Sequence, residues 1–126
     1  MITLVTRGRL TQDYAKNLLA APEDREPAVR KLIEAAGGKF INFYFTTGDS
    51  DFLLITEAND AESIIAALMA AAAAGTISDV TTARAWTGAE FKAILKQRAR
   101  TSSLARENSF ATQSGRTAHA GMAGMT

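Results

Sequence analysis

The sequence predicts an α+β domain built on one four-stranded antiparallel sheet, and three observations predict it. Its 126 residues suit a single domain and are too few for two joined halves. Four short runs rich in β-branched and aromatic residues alternate with helical stretches in the order βαββαβ, with one more helix at the end. The joints carry capping, Gly and Pro signals that fix where the elements begin and stop.

Ile2 to Arg7 is the first β-branched run and the first strand. Thr11 is placed to cap a helical stretch through Ala20, with Tyr14 and Leu18 on one side. Pro22 and Pro27 mark a break and a restart, because proline is tolerated only in a helix's first turn. From there Arg25, Val29, Leu32, Ile33 and Ala36 share a face, and Gly37-Gly38 stops the helix. Lys39 to Thr46 is the second strand and Asp51 to Glu57 the third, joined by the turn Thr47-Gly48-Asp49-Ser50. Asn59-Asp60-Ala61-Glu62 has the form of a capping box and opens a helix that Gly75 ends. Its expected buried stripe is Ala61, Ile64, Ile65, Leu68, Met69 and Ala72. Val80 to Trp86 is the fourth strand, and Thr87-Gly88-Ala89-Glu90 is a second capping box before a short helix with Phe91, Ile94 and Leu95. This order is the ferredoxin-like split βαβ arrangement.

Side chains alternate along a strand, so the faces of the sheet separate into two sets. Val5, Ile41, Phe43, Phe45, Leu53, Ile55, Ala83 and Ala85 are all apolar and are expected beneath the helices. Leu4, Thr6, Asn42, Tyr44, Phe52, Leu54, Thr56, Thr82, Arg84 and Trp86 form the other set, half apolar, for which a βαββαβ chain has no helix layer. Leaving Phe40, Tyr44, Phe52, Leu54 and Trp86 in water would forgo several kcal/mol, comparable to the stability of a small domain. A second copy of the sheet is the simplest cover, so a homodimer joined sheet to sheet is expected. The outer side of the Ala-rich helix carries Ala66, Ala67, Ala70, Ala71, Ala73 and Ala74. That suits packing against a further partner, and equally suits a plain helix, alanine being the strongest helix former.

Composition removes much chemistry. The chain has no cysteine and one histidine, His119, in a Ser/Thr/Gly-rich stretch outside the expected fold. Disulfides, thiolate zinc sites, cysteine nucleophiles and histidine-based triads are excluded from the domain, and no metal or cofactor is expected. The formal charge is +1, so no global field points to nucleic acid or membrane. The uncharged segment Ile64 to Gly75 has 12 residues, short of the ~20 that cross a bilayer. Met1 to Arg7 lacks an apolar leader and a small-residue cleavage site, which reads as a cytoplasmic chain. Domain organisation is expected as residues 1–96, holding 10 Lys+Arg against 12 Asp+Glu, and a tail 97–126 holding four arginines against Glu107. The tail's few large apolar residues show no period, so it is expected to be disordered or held by a partner.

Several separated motifs resemble the GYD domain family. They are Asn17-Leu18-Leu19, Pro22-Glu23-Asp24-Arg25, Ala28-Val29-Arg30, Gly37-Gly38-Lys39, Phe43-Tyr44, Gly48-Asp49-Ser50-Asp51, the Ala-rich helix ending at Gly75, and Thr81-Thr82. The resemblance runs from about Ile2 to Leu95 and implies a ferredoxin-like subunit that pairs as a dimeric α/β barrel. It implies little about activity, since related folds include cofactor-free oxygenases, isomerases, haem enzymes and ligand-sensing domains. The family's Gly-x-Tyr-Asp stands here as Gly48-Asp49-Ser50-Asp51, serine replacing tyrosine, so any role of that tyrosine is absent or moved.

Asn42, Tyr44, Arg84 and Trp86 are expected to share the face lining the barrel, where the arginine would hold a carboxylate and the aromatic rings flank an apolar body. The competing reading has Arg84 paired across the interface and the rings filling the core. Arg7 joins the set near the strand end. Asp49 and Asp51 would bind a hard cation or act as an acid–base pair, or else serve the turn itself. Three functions follow as expectations. One is a homodimer binding a small anionic or aromatic ligand or serving as an interaction module. Another is a cofactor-independent oxygenase or isomerase using Tyr44 or Asp51 as acid or base. The third is an assembly subunit joined through the alanine face and docked by its tail.

Overall fold

The structure, a computed structural model, describes residues 1–112. The expectations for His119 and for the end of the tail lie outside the described residues. Elements follow in the order β1 (Ile2–Leu10), α1 (Gln12–Ala20), α2 (Glu26–Ala35), β2 (Lys39–Phe45), β3 (Phe52–Ala58), α3 (Ala61–Ala73), β4 (Ile77–Ala85) and α4 (Gly88–Thr112). The first unit is Met1–Trp86, and a second begins at Thr87. The four strands form one sheet in the order β2-β3-β1-β4, every neighbouring pair antiparallel, which is the ferredoxin-like topology.

Local chemistry accounts for the joints. The Thr11 hydroxyl accepts from Tyr14 N–H and donates to the Gly75 carbonyl, which caps α1 and ties its start to the end of α3. Asp24 Oδ1 accepts from Glu26 N–H, and Pro27 lies in the first turn of α2. Gly37, at φ +88°, closes α2 in the left-handed conformation that favours glycine. A Cβ at Gly38 would stand 2.6 Å from Ile64 Cδ1, so glycine here lets β2 enter against α3. The cap of α3 is Asp60, one residue later than the expected Asn59: its carboxylate accepts from Ser63 N–H at 2.9 Å. That backbone hydrogen bond, helped by the Ser63 side chain, holds the Asp60 carboxyl below the usual carboxylate range. At α4 the capping box forms as expected, Thr87 N–H donating to Glu90 and Glu90 N–H to the Thr87 hydroxyl.

The core lies between the sheet and the helices α2 and α3. It contains Leu4, Phe40, Phe52, Leu54 and Ala58 from the strands with Ile33, Ile64 and Leu68 from the helices. Thr6 and Thr56 are fully buried among them, Thr6 bonded to the Thr82 hydroxyl at 3.1 Å. The two sheet faces are therefore reversed from expectation in β1 and β3: Leu4, Thr6, Phe52, Leu54 and Thr56 face the helices, and Val5, Leu53 and Ile55 do not. β2 follows neither pattern throughout. Its register shifts between Phe40 and Asn42, so Phe40, Phe43 and Phe45 all pair with residues of the helix-covered face, while Asn42 and Tyr44 pair with Ile55 and Leu53.

α3 is rotated relative to the expected stripe. Ile64, Ala67 and Leu68 are buried, whereas Ile65 is 45% and Met69 64% exposed. In the second unit α4 continues past Lys96 to Thr112, because the stretch after Gly88 contains neither proline nor glycine to stop it. Among the described residues no helix is long and apolar enough to cross a membrane.

Candidate functional site

Register assigns the helix-free face of the first unit row by row. Tyr44 stands opposite Leu53, Leu53 opposite Arg7, and Arg7 opposite Thr81. The next row is Asn42, Ile55, Val5 and Ala83, and the one beyond is Lys39, Glu57, Thr3 and Ala85. Val5, Leu53 and Ile55 are half-buried at the centre, flanked by exposed Tyr44 and Arg7. The Arg7 side chain makes no ion pair or hydrogen bond among the described residues. This face offers an aliphatic centre with Arg7, the Tyr44 phenol and the Asn42 amide around it and Lys39 and Glu57 one row further on, the means to hold a planar anion.

The expected site residues do not all meet. Asn42 and Tyr44 are on this face at the β2 edge, whereas Arg84 stands opposite Leu4 on the helix-covered face at the β4 edge. Three strand spacings, about 14 Å, separate the edges. The shared face expected for the four residues is corrected accordingly: Asn42 and Tyr44 keep to the helix-free face, while Arg84 has the phase of Leu4 and Thr6 and lies on the other. Arg84 lies over the Trp86 ring at 5.2 Å, so those two form a pair of their own. Asp51 has a backbone role. Its carboxylate accepts from Leu10 N–H at 2.9 Å and its N–H donates to the Gly8 carbonyl, fastening the β2–β3 turn to β1 where that strand's register shifts. The Asp49 carbonyl accepts from Arg9. No three His, Asp or Glu side chains gather as metal ligands among the described residues.

A pocket of about 270 Å³ opens on the opposite side of the sheet, between the helices, and sequence reasoning missed it. Phe43, Phe52, Leu54 and Leu68 line its interior, with Ala28, Phe45 and Ala74 exposed at its rim. Tyr14 and Arg25 complete the wall, the guanidinium 5.5 Å from the ring centroid. Arg25 Nη1 pairs with both Glu23 oxygens at 3.2 Å, while its Nε is buried without an acceptor. The one signal available in the sequence was Ala71 and Ala74, small residues on the side of α3 that lines the pocket.

Compared with known proteins, residues 4–95 match the GYD domain family. No curated protein matches the chain. Among solved structures, the crystal structure of MtbAldR is similar at 17% identity and a TM-score of 0.43, over 68% of this chain and 52% of that one. The chain thus spans about half the length of that structure.

Proposed function

Because the chain belongs to the GYD domain family and its sheet has a helix-free apolar face, we propose that it works as a homodimer, sheet against sheet in a dimeric α/β barrel, holding a small anionic or aromatic ligand between the subunits. One observation supports this above the rest: the row Tyr44, Leu53, Arg7, Thr81 places an unpaired guanidinium beside the aliphatic centre formed by Val5, Leu53 and Ile55. Completing the burial of Val5, Leu53 and Ile55 contributes about 1 kcal/mol per side chain, and the symmetry of a dimer doubles the sum. Burying Arg7 in such an interface without an anion would be costly, so the pairing itself calls for a carboxylate or similar group beside it.

An acid–base role falls to Tyr44 in this arrangement, since Asp51 is occupied by the backbone of β1. Titration calorimetry with benzoate as probe tests the ligand reading. Wild type binds benzoate, Arg7→Ala weakens it by about tenfold or more, and Tyr44→Phe weakens it less. Equal binding by wild type and Arg7→Ala contradicts it.

A further inference from the structure

We infer that the pocket between the helices is a second binding site, for a small apolar carboxylate of the medium-chain acyl type, with Arg25 as its anion-holding residue. The site is on the other side of the sheet from the proposed dimer face and does not depend on pairing. Two independent features carry the inference.

The first is the pocket itself. It holds about 270 Å³ and opens to solvent between the helices, so a ligand can enter it and lay its apolar part against the core beneath. Small side chains line it at Ala28 on α2, Ala71 on α3 and Ala74 just beyond α3. Its floor, Phe43, Phe52 and Leu54, offers nothing to water and much to a hydrocarbon chain.

The second is Arg25. It is the single charged residue in the pocket wall, and its Nε is shielded from solvent with no acceptor in reach. A buried donor left unpaired costs free energy, and a ligand oxygen would satisfy it. Nη1 is held by the carboxylate of half-exposed Glu23, whereas Nε–H points along the other edge of the guanidinium, the one it shares with Nη2. A ligand carboxylate can bridge Nε and Nη2 while Glu23 stays on Nη1, with the Tyr14 ring keeping the guanidinium in place. An apolar body with an anionic head is the chemistry that uses both features.

The probes are octanoate and octanol, titrated into the full chain and followed by heteronuclear NMR and calorimetry. Octanoate should bind at least about tenfold more tightly than octanol, with shifts centred on Ala71, Phe52 and Tyr14. Arg25→Gln should remove that preference while leaving octanol binding in place. Ala71→Leu, which adds a good helix former into empty space, should abolish binding of both and leave the fold intact. Octanoate and octanol binding equally to wild type, or octanoate binding unchanged in Ala71→Leu, overturns the proposal. Light scattering on the same samples reads subunit number separately, so a monomer that binds octanoate refutes the dimer and leaves this site standing.

Discussion

At the scale of single residues, local signals were legible because their partners are near in sequence. Thr11, Thr87 and Glu90 cap as their spacing predicts, each bonding a backbone group three residues away. Asn59 and Asp60 are both capping types side by side, and only the fold selects Asp60. Asp51 could not be resolved by spacing, because its partner Leu10 lies 41 residues earlier. Two buried threonines separate cleanly in their consequences. Thr56 Oγ1 has no partner, so Thr56→Val, which keeps the shape and removes the unpaired group, should stabilise the chain by about 1 kcal/mol. Thr6→Val leaves Thr82 without its partner and should destabilise by a similar amount. Urea denaturation midpoints of the two variants should move in opposite directions.

At the scale of elements, order and approximate bounds could be read, and facing could not. β3 reads Phe52-Leu53-Leu54-Ile55, apolar on both sides, so alternation alone does not say which side meets the helices. In β2 the shift between Phe40 and Asn42 changes the phase midway, and a single irregular residue leaves no mark in composition. α3 posed the same difficulty in helical form: from Ile64 onward it has no charge, so nothing marks its solvent side. The observed rotation gives adjacent residues opposite expected costs. Ile64→Ala, at a fully buried position touching the core, should lower stability by about 3 kcal/mol. Ile65→Ala, at an exposed one, should stay within about 0.5 kcal/mol. Chemical denaturation of the pair checks the orientation of the helix, and equal losses would contradict it.

At the scale of the whole molecule, the first unit has one helix layer for a sheet with two partly apolar faces, whichever face the helices take. Only the residues change: Val5, Leu53 and Ile55 replace Leu4, Phe52 and Leu54 as the uncovered aliphatic set. Arg7, a minor candidate in the sequence, becomes the central polar group of that face, while Arg84 and Trp86 leave it. Beyond the small residues Ala71 and Ala74, the pocket beneath the helices leaves no mark in the sequence, since its wall gathers residues from four strands and three helices. Alanine takes two places in and beside α3: Ala71 and Ala74 line the pocket, and Ala66, Ala70 and Ala73 face outward beside Ile65 and Met69. The light-scattering mass of wild type against Ile55→Lys tests the sheet-to-sheet dimer most directly, because Ile55 is central on the helix-free face and a lysine there would place an unpaired charge in the interface. The predicted result is a dimer for wild type and a folded monomer for the variant, and a monomeric wild type or a dimeric variant would contradict it.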